Sequence, residues 1–114
     1  MSDCLFCKIC EGKIPSTITY RDEDVLAFKD IGPKAPLHEL VIPIRHMASL
    51  SEAKTEDAAL LGKLMIVASH QARAAGFSES GFRVVMNAGP DAGQTVAHVH
   101  LHVLAGRSLG WPPG

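Results

Sequence analysis

Apolar and polar positions along the chain change period several times. Residues 4–12, "CLFCKICEG", place Leu5, Phe6 and Ile9 at helical spacing, with Gly12 suited to stop a short helix. "STITYRDEDVLAFKD" reads as two short strands around the turn-forming "RDED". "HELVIPI", residues 38–44, reads as a third strand, reached through "GPKAP", where Pro33 and Pro36 exclude regular structure. One long helix is predicted next. Thr55 is its expected N-cap, with Glu56 and Asp57 at the positive end of the dipole. Leu60, Leu61, Leu64, Met65, Ala68 and Ala72 make a stripe of 3.6 periodicity that ends at Gly76. "FRVVMNA", residues 82–88, and "AHVHLHVLA", residues 97–105, are the fourth and fifth strands, separated by the glycine-rich "GPDAGQT". Short connections between strands of this kind predict an α+β fold with an antiparallel five-stranded sheet, one long helix and one short helix.

The fifth strand carries the most unusual pattern. His98, His100 and His102 alternate with Val99, Leu101 and Val103, so the histidines share one face while the apolar residues enter the core. Neighbouring histidines on a regular strand lie roughly 6.5–7 Å apart, which argues against one metal held by all three. A polar surface face and a catalytic face are the remaining readings. In the catalytic one, a neutral imidazole attacks while its other nitrogen donates a hydrogen bond, and a neighbour handles a proton. The preceding "NAGPDAGQT" favours it, because glycines let backbone N–H groups approach an anion, and Asn87, Gln94 and Thr95 add neutral donors beside Gly93.

Composition narrows the classes further. At 114 residues, 46% hydrophobic and 20% charged, the chain has the size and make-up of one globular domain, residues 1–114. Its net charge of −1 and scattered Lys and Arg give no nucleic-acid surface. No apolar run approaches 18 residues and "MSDCLFCK" has no basic leader, so neither a membrane span nor a signal peptide is expected. Three cysteines, two of them as Cys4-x-x-Cys7, point to reduced thiols or a metal in a cytoplasmic protein rather than to a disulfide framework.

"GQTVAHVHLHVLAGR" resembles the signature of the histidine-triad (HIT) proteins, and "VLAFKDIGPKAPLHELVIP" is similar to the family's other characteristic segment. The closing "WPPG" resembles that of the Hint branch, the nucleoside phosphoramidases. The resemblance implies the HIT-like fold. It also implies hydrolysis of the P–N bond of a purine nucleoside 5′-phosphoramidate through a nucleotidyl-histidine, with no organic cofactor. His100 would be the nucleophile, His102 would assist the leaving group, and His38 and His98 would form the supporting network. Asn87, Gly93, Gln94, Thr95 and Val96 would hold the phosphate and Asp30 the ribose hydroxyls. Leu5, Phe6, Ile9, Phe28, Ile31 and Leu40 would line the base pocket. Some bacterial relatives bind a structural zinc, which here would use Cys4, Cys7, His46 and His98. A homodimer is implied as well, bringing Trp111 near the partner's substrate.

Read without the resemblance, Asp30 is equally a turn residue, Leu5, Phe6 and Ile9 plain core, and His38 a surface histidine. Cys4 and Cys7 are equally thiols packed under the short helix. Ala97 stands where many Hint-like proteins have an aromatic residue, and Thr95 where serine is frequent. Two rival functions follow from the same fold: a dinucleoside polyphosphate hydrolase of the Fhit branch, and a non-catalytic nucleotide-binding or scaffold protein.

Overall fold

A computed structural model describes residues 3–114. Its elements are α1 (Leu5–Cys10), β1 (Ile18–Arg21), β2 (Val25–Lys29), β3 (Leu37–Pro43), α2 (Ala58–Ala74), β4 (Phe82–Met86) and β5 (Leu101–Ala105), with single 3₁₀ turns at Leu50–Glu52 and Thr55–Asp57. The strands form one antiparallel sheet in the order β1-β2-β3-β5-β4. The α+β fold expected from the sequence, an antiparallel five-stranded sheet with one long and one short helix, is the one observed.

Both faces of the central strands are covered, which explains why "VLAF" and "LVIP" are apolar without alternation. One face packs under α2, where Val25, Ala27, Val41, Leu101 and Val103 meet Leu64, Val67 and Ala68. The other packs against α1, where Leu26, Phe28, Leu40 and Ile42 meet Phe6, Ile9 and Cys10. Among the described residues Glu39 is the one buried acidic side chain, and its Oε1 accepts from Gln71 Nε2 at 2.9 Å and Thr19 Oγ1 at 3.0 Å. That satisfies the carboxylate, as burial demands.

The turns follow the local chemistry. Asp22 Oδ1 accepts the N–H groups of Asp24 and Val25 at 2.8 and 2.9 Å, closing the β1–β2 turn. Gly12, at φ 77°, ends α1 in the left-handed region, and Gly76, at φ 90°, does so for α2. No helix among the described residues is long and apolar enough to cross a membrane.

Three details differ from the sequence expectation. Thr55 does not cap α2: a 3₁₀ turn precedes it, and the Asp57 carboxylate instead accepts the Lys54 N–H at 2.8 Å while Arg45 holds its other oxygen at 2.6 Å. Met65 is half exposed and Val67 takes its place in the core, since Leu64, Val67, Ala68 and Ala72 already complete the inward arc and Met65 lies about 100° round from Leu64. The fifth strand begins at Leu101, not at Ala97. Its partner β3 runs into Pro43, which has no N–H to continue a ladder, and the Val99 N–H turns to the Met47 carbonyl at 2.7 Å.

Leu64→Ala is expected to lower stability by about 3 kcal/mol, whereas Met65→Ala stays within about 0.5 kcal/mol of the parent. Urea denaturation of the two variants checks the orientation of α2.

Candidate active site

The histidines keep their alternation although the ladder does not reach them. Val99, Leu101 and Val103 enter the core under α2, while His98, His100 and His102 lie on the α1 side. There the Phe6 ring stands edge-on to His98 and His100, with centroids 5.9 and 5.2 Å away. His98 and His100 are buried, and the rings of His100 and His102 lie 5.1 Å apart.

Main-chain groups fix the proton on each ring, because a carbonyl only accepts and an amide N–H only donates. His98 Nε2 is 2.8 Å from the Pro43 carbonyl, so the proton is on Nε2 and the Nδ1 lone pair faces away from it. His100 Nδ1 donates to the His98 carbonyl at 2.7 Å, which leaves Nε2 as its unprotonated nitrogen. The Lys34 N–H donates to His38 Nδ1 at 3.0 Å, so His38 carries its proton on Nε2. That proton faces His102 Nδ1 at 2.9 Å, with Asp30 Oδ2 at 3.4 Å. His102 therefore accepts at Nδ1 and holds its own proton on Nε2. The row of rings is polar and directed, with a lone pair on His100 Nε2 beside a donor on His102 Nε2.

Burial favours the neutral form of His38, His98 and His102. It pushes His102 down to about 4 from an ordinary value near 6.5, helped by the neighbouring His100 and His38. His38 is also lowered by burial, against the opposing pull of Asp30.

A cleft of about 250 Å³ opens beside this row. Leu5, Phe6, Ile9, Phe28 and Leu40 supply an apolar wall, Asp30 and Ile31 a rim, and Thr95, Val96, His100 and His102 the other side. Ile31 is almost wholly exposed there, so it flanks the opening rather than filling it. Asp30 also accepts the Gly32 N–H through Oδ1 at 2.7 Å. Ile14, Pro15, Ser16 and Lys29 line the cleft too, and sequence reasoning missed them. Ile14, Pro15 and Ser16 lie in an aperiodic link between α1 and β1, where no pattern signals a role. A larger hollow of about 590 Å³ between the β1–β2 turn and α2 is lined partly by Asp24, Arg45 and Lys63, which are ion-paired, and it carries no histidine.

Asn87, Gly93, Gln94 and Trp111 do not line the cleft. Gln94 uses its amide to shape the loop, donating to the carbonyls of Ala48 and Val96 at 2.7 and 2.9 Å and accepting the Gly89 N–H at 2.9 Å. Gly93 turns the same loop at φ 81°. Asn87 follows β4, half-buried, and Trp111 is 82% exposed in the C-terminal segment.

Behind His98 lies a second cluster. Cys4 Sγ is 3.3 Å and Cys7 Sγ 3.6 Å from His98 Nδ1; His46 Nδ1 is 3.4 Å from Cys7 Sγ and 3.2 Å from His98 Nδ1. A tetrahedral ion with ordinary bond lengths needs about 3.6 Å between nitrogen and sulfur and about 3.4 Å between nitrogens. The four side chains fit a metal, and the Pro43 carbonyl aims the His98 lone pair into the cluster, as an outer-shell partner does. Cys10 lies outside it, among Phe6 and Ile9, its thiol pushed up to about 11 chiefly by burial.

The His102 shift has a sign for stability. Its folded value lies below its unfolded one, so between about pH 6.5 and about 4 the unfolded chain takes up a proton that the folded chain refuses. Stability should fall across that window, seen as a lower urea midpoint at pH 5 than at pH 7, and His102→Asn should narrow the difference.

Comparison with known proteins agrees with this geometry. A profile of the HIT domain matches residues 11–109. An uncharacterised HIT-like protein of Synechococcus elongatus is 50% identical over 112 residues, 98% of this chain and 97% of that one. The crystal structure of a HIT family hydrolase from Legionella pneumophila superposes with a TM-score of 0.97 at 47% identity, covering 98% of this chain and all of that one. A histidine triad protein from Clostridium difficile gives 0.93 at 44% identity, with 96% of each chain covered. With its two signature segments folded around one row of directed imidazoles, this chain belongs to the HIT family.

Proposed function

We propose that the protein is a nucleoside phosphoramidase of the Hint branch. The observation that supports this best is the protonation pattern of two adjacent rings. His100 has Nδ1–H tied to a carbonyl and its lone pair on Nε2, and His102 has its donor on Nε2. A nucleophile next to an acid is what P–N cleavage requires.

In this reading His100 Nε2 attacks the α-phosphorus of a purine nucleoside 5′-phosphoramidate, most simply that of adenosine. The P–N bond breaks, the amine leaves with the proton from His102 Nε2, and a nucleotidyl-histidine remains. Water then attacks the phosphorus and returns a proton to His102, releasing nucleoside monophosphate and His100. His38 and Asp30 keep His102 oriented through both steps, and His98 orients His100 through its carbonyl. The apolar wall of Leu5, Phe6, Ile9, Phe28 and Leu40, with Ile31 at its edge, suits a base. Asp30 beside it suits a ribose diol, with two carboxylate oxygens for two hydroxyls. Thr95 and Val96, at the cleft edge of the loop that Gln94 and Gly93 shape, take the phosphate. The chemistry needs no organic cofactor, since positioned donors and a nucleophile suffice.

The metal at Cys4, Cys7, His46 and His98 is read as a structural zinc, because two thiolates and two imidazoles in a closed tetrahedron are its preferred set. Thiolate ligands of this kind suit a reducing, cytoplasmic setting. A homodimer is read from β4, which lies at a sheet edge, and from Met65 and Ile66, exposed side by side on α2. Trp111, in the exposed C-terminal segment, would then meet the partner's cleft. The reading makes residues 1–114 one catalytic domain with no nucleic-acid or membrane partner.

Release of AMP from adenosine 5′-phosphoramidate is the direct test: His100→Ala should lose about a thousandfold or more in turnover. Binding of AMP with no turnover in the parent would replace this reading with a nucleotide-binding protein. Metal analysis should find about one zinc per chain, lost in Cys7→Ser. Light scattering should give the mass of two chains.

A further inference from the structure

The direction of the His38–His102 hydrogen bond is set by one main-chain donor, the Lys34 N–H, in a loop that has no regular structure. Something must hold that loop, because a donor that drifts would free His38 Nδ1 to take the proton. Two features after β5 meet it. Arg107 Nε donates to the Lys34 carbonyl at 2.9 Å, and its Nη1 donates to the Ser108 carbonyl at 2.9 Å, which fixes the guanidinium. Lys34 is therefore held at both ends, its N–H by His38 and its carbonyl by Arg107. The preceding residue, Gly106, has φ 99°, and a Cβ there would meet Pro36 Cβ at 2.7 Å and Cγ at 2.9 Å. The loop thus lies directly on the turn that follows the histidine strand.

We propose that Arg107, with Gly106, is a positioning device for the proton donor: it clamps the 32–36 loop so that Lys34 fixes the tautomer of His38 and, through it, of His102. Arg107 touches no reacting group in the proposed reaction. Its influence runs through Lys34 N–H, His38 Nδ1, His38 Nε2 and His102 Nδ1 in turn. The clamp deepens the phosphoramidase reading in one respect, since the ring it controls is the one that protonates the leaving amine. The substrate-facing wall does not depend on it, so loss of the clamp should affect the chemical step more than binding.

The test compares the parent with Arg107→Ala and Gly106→Ala. The second variant perturbs the loop through Pro36 while leaving the guanidinium in place. Ring-nitrogen correlation spectra of the parent should show one tautomer for His38 and His102, both protonated at Nε2. In each variant the two rings should give averaged nitrogen shifts, and the Lys34 amide should lose protection from hydrogen exchange. Turnover of adenosine 5′-phosphoramidate should fall on the order of tenfold in kcat while KM stays within about twofold. Unchanged ring nitrogens and Lys34 protection in Arg107→Ala overturn the proposal, whether or not kcat falls. A parent without turnover would remove the reaction but not this arm, because the spectra report the tautomers without substrate. Arg107 is exposed, so its alanine variant should retain the parent's melting temperature to within a few degrees and can be read even where Gly106→Ala fails to fold.

Discussion

The hydrogen bond from His98 Nε2–H to the Pro43 carbonyl is the constraint on which the site depends. Pro43 ends β3 because it has no N–H to offer, and its carbonyl is then available to a side chain. By taking that carbonyl, His98 is locked in one tautomer. Its remaining lone pair turns towards Cys4, Cys7 and His46, and its own carbonyl accepts from His100. The Pro43 carbonyl thereby sets His98 apart as the ring that faces Cys4, Cys7 and His46, while the Lys34 N–H, through His38, places the proton of His102 on the cleft side.

Burying so many polar rings is costly unless each nitrogen is matched, and no buried side-chain nitrogen or oxygen among the described residues lacks a hydrogen-bond partner. The two-layer arrangement makes this possible. The apolar half of the alternation sits under α2, a helix long enough to cover the sheet, while the histidine half sits under α1. At six residues α1 is too short to be helical by itself. It is held by Phe6 and Ile9 in the second core and by Cys4 and Cys7 beside His98 and His46, and it contributes Leu5, Phe6 and Ile9 to the cleft wall.

Hydrophobic patterning makes the sheet, both helices and the shared face of the histidines legible from sequence: one buried face imposes period 2 or 3.6, and β2 and β3, buried on both faces, read as apolar runs. The strand start at Leu101 was not legible: the alternation runs on through His98, while on the β3 side the ladder stops at the partner strand's proline. Thr55 was misplaced as a cap because an acidic residue two positions later closes the turn first. Met65 is half exposed although it is as apolar in sequence as the buried Leu64 beside it. Of the candidate site, the histidines and cysteines that the fold brings together are legible from sequence, and residues such as Lys34 and Pro43, whose backbone groups meet them, are not. Nothing in the letters of "GPKAP" says that the Lys34 amide aims a proton. Gln94 stands out in the sequence as a neutral donor beside the histidines, and in the fold its amide holds its own loop.

Main-chain groups aim the protons of His98, His100 and His38, and through His38 that of His102, which has a genetic consequence. A peptide carbonyl or N–H survives almost every codon change, so the polarity of the site is insulated from point mutation at the residues that create it. Variation at Lys34 leaves its N–H in place for His38 as long as the backbone stays where it is. The vulnerable positions are instead those that decide the backbone path, such as a glycine at positive φ or a proline at a strand end. In a population of variants, loss of function should therefore concentrate at small, chemically silent residues around the site, while several of its more conspicuous side chains drift.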